Sequence, residues 1–130
     1  MKRILIAEDE PHIFRVIRIA LERAGYDVEH ARNGEEALAK LKIQFPDALI
    51  TDIAMPKMDG RELCRRIEEE IPDRQFPIII STSKTDIEHR EWSGKMQNLT
   101  FLEKPASLRQ LIALLAELLD SSKGTQRGHL

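Results

Sequence analysis

The chain has 130 residues, with 20 Lys and Arg against 22 Asp and Glu, and so a formal net charge of −2. One domain of ordinary size accounts for that length, and the balanced charge argues against nucleic-acid binding by bulk phosphate neutralisation. A single cysteine, Cys64, excludes an internal disulfide scaffold, and the apolar run that opens the chain is cut by Glu8, Asp9 and Glu10 far too early for a signal peptide or a membrane span. The cytoplasm is the expected location.

Residues 4–7 form a short apolar run bounded by charge, which predicts a buried strand. Ile13, Ile17, Ala20, Leu21 and Ala24 then recur at helical spacing, Pro11 suits the first turn, and Gly25 stops the helix. Residues 27–31 read as a weaker strand, followed by a helix over 34–45 that turns Ala37, Leu38 and Leu41 inward. The next strand is 48–51, and the helix after it covers 61–71, with Leu63, Cys64 and Ile67 inward and Pro72 at its end. Residues 78–80 are Ile-rich and read as a strand. The stretch 85–96 has a thin apolar stripe (Ile87, Trp92, Met96) and a Ser-Gly pair, which predicts a short or irregular helix. A weak strand at 99–102 precedes a helix over 107–120 carrying Leu108, Leu111, Ile112, Leu115, Leu118 and Leu119. Residues 1–120 are thus expected to form the domain. Residues 121–130 are polar, contain two glycines, and are expected to fray.

Strands alternating with helices imply an α/β fold, a parallel sheet with helices on both faces. Right-handed connections leave few strand orders, of which 2-1-3-4-5 is a common one. In such sheets ligands bind beyond the carboxyl ends of the strands, so the residues that end each strand carry the information. Strand one ends in Glu8 and Asp9, strand three in Asp52, strand four in Thr82 and strand five in Lys104, before Pro105. With the order 2-1-3-4-5, Glu8, Asp9 and Asp52 converge. Two unit charges about 4 Å apart repel by roughly 4 kcal/mol at an effective dielectric of about 20, so such a cluster must protonate, swing into water or hold a cation. A crevice of carboxylate oxygens with room for water suits Mg²⁺. A hydroxyl and an ammonium beside that centre are the donors a transferring phosphoryl group needs, and Asp52 can act as the nucleophile. Each of these residues alone is unremarked: a solvated acid or helix N-cap (the preferred reading for Glu10), a β-forming threonine, a surface lysine.

Together they resemble the receiver domain of two-component response regulators, of the single-domain chemotaxis type, over roughly residues 2–120. The motifs are ILIAEDE, DALITDIAMPKMDG, PIIISTS and FLEKP. The resemblance implies a flavodoxin-like (βα)5 doubly wound sheet of order 2-1-3-4-5. It implies that Asp52 accepts a phosphoryl group from a histidine kinase or histidine phosphotransfer protein, in a Mg²⁺-dependent reaction that changes the output face toward an unknown downstream protein. Such a protein is no enzyme beyond its own phosphorylation and dephosphorylation. Asp9 would bind Mg²⁺ directly, Glu8 through water, and the Ala54 carbonyl would be a further ligand. Lys104 and Thr82 would contact the phosphoryl group, Phe101 would be the switch aromatic, and a cis peptide would precede Pro105. Pro56 and Gly60 would shape the loop after the acceptor. Departures from the family pattern are Ser83 after the hydroxyl, Phe101 without a hydroxyl of its own, and Ala54 and Lys84 at positions that tune the phosphoryl lifetime.

Other readings have less support. A flavin phosphate would be repelled by Glu8, Asp9 and Glu10, and no Gly-rich turn for a dinucleotide follows strand one. An aspartate-nucleophile phosphatase would carry a second Asp where this chain has Ala54. A receiver cut from a longer transcription regulator or hybrid kinase remains the alternative. His12, His30, His89 and His129 lack metal-ligand spacing, and Cys64 reads as inert core.

Overall fold

The computed structural model describes residues 1–82, 96–103 and 107–128. The expected helix over 85–96 therefore lies outside the described residues except for Met96, as do Ser83, Lys84, Trp92, Lys104 and Pro105. Five strands, β1 (Arg3–Ala7), β2 (Asp27–Ala31), β3 (Ala48–Asp52), β4 (Ile78–Thr82) and β5 (Leu99–Glu103), form one sheet in the order β2-β1-β3-β4-β5. Every pairing is parallel, so all five carboxyl ends lie at one end of the sheet. The helices among the described residues are α1 (Pro11–Arg23), α2 (Gly34–Ile43), α3 (Gly60–Glu70) and α4 (Leu108–Gly128).

Strand period two divides the core between the two faces of the sheet. Leu5, Ala7, Leu49, Ile78 and Ile80 pack with Leu38, Leu41, Leu63 and Ile67 of α2 and α3. The alternate residues Ile4, Ile6, Ile50 and Ile79 pack with Phe14 and Leu21 of α1 and Leu111 and Leu115 of α4. A strand buried on both faces reads as continuous hydrophobicity, which is why β1, β3 and β4 stand out in the sequence while the edge strands β2 and β5 do not. Burying one such Ile or Leu side chain is worth about 1.5–3 kcal/mol.

Local signals set the helix ends. Asn33 and Asp59 accept from the N–H of Glu36 (2.9 Å) and Glu62 (2.8 Å), capping α2 and α3. Ser107 and Gln110 cap α4 reciprocally, each backbone N–H donating to the other's side chain at 3.0 Å. Glu10 stands at the N-cap of α1, which has Pro in its first turn, but its side chain makes no capping bond. Two boundaries differ from the sequence pattern. α2 stops at Ile43 instead of 45, because Pro46 disfavours helical backbone at Phe45, which instead meets Phe76 edge-on at 5.6 Å. α4 continues to Gly128, past the end of its apolar stripe at residue 119; once a helix is nucleated, each further residue adds a hydrogen bond at little cost.

Candidate functional site

The parallel sheet brings Glu8, Asp9 and Asp52 together. β1 pairs with β3 through Ala7 and Thr51, so the residues that follow, Glu8 and Asp52, emerge side by side. One carboxylate oxygen from each of Glu8, Asp9 and Asp52 lies within 4.8 Å of the others. Asp9 is exposed, whereas Glu8 and Asp52 are only 5% and 9% exposed, so two of the three acids have little bulk water to screen them. This donor set, all oxygen, from two strands and open on one side, fits a hard divalent ion such as Mg²⁺.

The backbone around Asp52 is tightly held. Ile53 N–H donates to the Ser81 carbonyl of β4 at 3.0 Å, and the Thr51 hydroxyl donates to the Asp52 carbonyl at 3.0 Å. Gly60, the first residue of α3, donates to the Ile53 carbonyl at 2.9 Å, and a Cβ there would lie 2.5 Å from the Asp52 oxygen. The loop between them, residues 54–59, is held by backbone hydrogen bonds. Gly34 N–H holds the Met58 carbonyl at 3.2 Å, and Met58 N–H bonds the Pro56 carbonyl at 2.7 Å across Lys57, whose φ is +67°. That tight three-residue turn is a strained form for a residue with a side chain. Ala54, at the start of this loop and two residues after Asp52, is exposed.

Thr82 ends β4, 1% exposed, one residue beyond the Asp52–Ser81 register pair. Phe101 in β5 is half-buried and packs on the α2/α3 face, opposite Ile80 in register; Thr82, two residues after Ile80, shares that face. The hydroxyl and the aromatic ring predicted to move together are thus neighbours on one side of the sheet. Lys104 and Pro105 follow directly after β5 and lie outside the described residues. On the other face, a cavity of about 450 Å³ opens beside Glu8 and Asp52, walled among the described residues by Ile13, Val16, Leu108 and Leu111.

Some residues had a role the sequence did not disclose. His30 of β2 stacks on Phe14 of α1, with ring centres 3.8 Å apart and planes 9° off parallel, and its Nε2 lies 2.8 Å from the Glu8 carbonyl. Strand parity puts His30 on the α1 face, but nothing in its spacing marks a partner. Cys64 is fully buried, and burial pushes its thiol up to about 12, so it holds no thiolate at neutral pH. No helix among the described residues is long and apolar enough to cross a membrane.

An open parallel α/β sheet with an acidic pocket at the carboxyl ends of β1 and β3, where the strand order reverses, defines a doubly wound protein with carboxylates placed to hold a cation at its switch point. The family model described as "response regulator receiver domain" matches residues 4–116, and this chain belongs to that family. It is 40% identical over 119 residues to the response regulator receiver protein CpdR of Brucella abortus, covering 92% of this chain and 98% of CpdR. It is 34% identical over 122 residues to the alkaline phosphatase synthesis transcriptional regulatory protein PhoP of Bacillus subtilis, covering 94% of this chain. The chain spans about half the length of PhoP (50%) and of the transcriptional regulatory protein TrcR of Mycobacterium tuberculosis (48%). Among solved structures, a CheY-like receiver domain protein from Methanospirillum hungatei superposes with a TM-score of 0.86 at 30% identity, covering 96% of this chain and 98% of that one. The Vibrio cholerae chemotaxis protein CheY4 superposes with a TM-score of 0.83 at 30% identity, covering 92% and 99%.

Proposed function

We propose that this receiver domain is a phosphorylation switch whose acceptor is Asp52. An Asp52 carboxylate oxygen attacks phosphorus, the bond from phosphorus to the donor's imidazole nitrogen breaks, and that nitrogen keeps the electron pair; the product is an acyl phosphate. Glu8, Asp9, Asp52 and the Ala54 carbonyl would hold Mg²⁺, which supplies positive charge for the phosphoryl oxygens. Thr82 would hydrogen-bond the phosphoryl group, with Lys104 as the pairing cation and Phe101 turning inward as the threonine moves. A cis peptide before Pro105 belongs to the same reading. The protein catalyses nothing beyond its own phosphorylation and dephosphorylation. Its donor is a histidine kinase or histidine phosphotransfer protein in the cytoplasm, and its output is a protein contact rather than direct binding to nucleic acid.

The observation that carries this reading is the meeting of three acids from two strands within 4.8 Å, two of them buried. Isolated surface acids have no reason to be gathered and covered in this way. Incubation with Mg²⁺ and a small phosphodonor such as acetyl phosphate should label the wild type and leave Asp52→Ala unlabelled. Equal labelling of both would end the proposal. A second reading, the same module working as part of a longer regulator, is favoured by PhoP and TrcR, of which it spans half; CpdR, matched over 98% of its length, favours a domain acting alone. The complete open reading frame decides between them.

A further inference from the structure

Glu8 and Asp9 are consecutive, and consecutive residues of a strand point to opposite faces, yet both carboxylates meet Asp52 within 4.8 Å. The chain must therefore leave the strand path at the peptide that joins them. The β1–β2 ladder closes there: Ala7 and Ala31 are the last pair of strand residues in register, and Glu8 N–H donates to the Ala31 carbonyl at 2.9 Å. At that point the carbonyl of the Glu8–Asp9 peptide receives a side chain, His30 Nε2, at 2.8 Å. A carbonyl only accepts, so Nε2 donates. The imidazole is aimed by its stack on the buried Phe14, over which the Arg18 guanidinium lies 5.8 Å from the ring centre. Within the same turn, Glu10 N–H donates to the Glu8 carboxylate at 3.1 Å.

We infer that His30 is a positioning residue for the cation site: its Nε2–H, held by the Phe14 stack, fixes the peptide that presents Glu8 and Asp9 on the same side as Asp52. The inference rests on the proposed function, since it takes those acids as the Mg²⁺ ligands. Groups that orient ligands from behind, without touching the metal, commonly change metal affinity by about 10- to 100-fold when removed. The ring stack supplies rigidity and the N–H supplies direction, and the two can be separated by substitution. His30→Phe retains an aromatic ring against Phe14 and loses the donor. His30→Gln offers an amide N–H at similar reach and loses the ring.

The test is titration of wild type, His30→Phe and His30→Gln with Mg²⁺ alone, by calorimetry in metal-free buffer, with melting temperatures taken in EDTA. His30→Phe is expected to bind Mg²⁺ about tenfold more weakly while melting close to wild type, and His30→Gln is expected to recover most of the affinity. Unchanged affinity in His30→Phe overturns the inference while leaving the phosphorylation reading intact, provided the wild type binds Mg²⁺ and Asp52 takes the label. A weakened affinity that Gln does not restore, or that follows a fall in melting temperature in both variants, assigns His30 a structural role only and overturns it as well. Wild type that neither binds Mg²⁺ nor accepts phosphate removes the functional reading and this inference together.

Discussion

An added methyl group would meet very different surroundings at Gly25 and at Gly60. Gly25, which ends α1, has φ +97° and open space around its missing Cβ, so an alanine there pays only for a left-handed backbone, roughly 1–2 kcal/mol. Gly60 would place its Cβ 2.5 Å from the Asp52 carbonyl oxygen and 2.9 Å from Ile53 Cα. Those neighbours are backbone and cannot swing aside, so Gly60→Ala must push α3 away from the strand that carries the acceptor, at about 1–3 kcal/mol. Both variants should melt earlier than wild type. Gly25→Ala should accept phosphate from acetyl phosphate at the wild-type rate, and Gly60→Ala more slowly, because only the second moves Asp52. Melting curves paired with labelling time courses separate the two, and equal labelling rates would show that the Gly60 contact is spacing without consequence for the site. The turn and stop positions of both glycines were legible in the sequence. The close approach at Gly60 was not, since it depends on where α3 comes to rest after the chain has crossed the sheet.

At the scale of elements, α2 and α3 lie side by side and are tied through Glu70, which pairs with Arg66 on its own helix and with Lys42 on α2. The Arg66 guanidinium first, and Lys42 second, hold its carboxyl down to about 2 from an ordinary 4.5. A carboxyl whose folded value is depressed contributes stability above its unfolded value and loses it as the pH falls toward the folded one. Glu70→Gln should therefore unfold at a slightly lower urea midpoint at pH 7, and the gap should close between pH 4.5 and about 2. The effect is small because the pairing is partly exposed and screened. A gap of constant size across that range would mean that Glu70 acts through packing instead of charge. The helices themselves were read from apolar spacing because each turns one stripe to the sheet. Their ends were harder: Pro46 shortens α2 by acting on the residue before it, and α4 runs beyond its stripe on backbone hydrogen bonds that leave no sequence pattern. The approach to β5 was also opaque. There Arg74 donates to the nearby Phe76 carbonyl (2.7 Å) and to the carbonyls of Gln97 and Asn98 (3.3 Å), and the Asn98 amide donates to the Gln75 carbonyl at 2.9 Å; all but the first join segments more than 20 residues apart.

For the whole molecule, the fold gathers negative charge at one end of the sheet, and its stability should record that. The site was legible because in a parallel sheet the last residue of each strand is the one nearest the ligand, and Glu8, Asp9, Asp52 and Thr82 all stand at or just past a strand end. What the strand ends could not disclose was the support behind them, such as the His30 bond to the Glu8 carbonyl, because that contact joins residues 22 apart through an aromatic stack. Three carboxylates whose oxygens lie within 4.8 Å repel one another, each pair by roughly 3–4 kcal/mol at an effective dielectric of about 20 and less for the exposed Asp9. Removing one charge should relieve part of that repulsion, while removing a ligand should forfeit the stabilisation that a bound ion brings by mass action, about 2.7 kcal/mol when Mg²⁺ is a hundredfold above its Kd. Asp9→Asn is accordingly expected to be more stable than wild type in EDTA and less stable in saturating Mg²⁺. The sign of the difference reverses with one added ion. Urea denaturation of both proteins in the two buffers measures it, with Ca²⁺-free MgCl₂ as the only variable. A difference of the same sign in both buffers would mean that Asp9 neither strains the empty cluster nor holds the cation, and that the charge gathered at this end of the sheet is balanced within the protein itself.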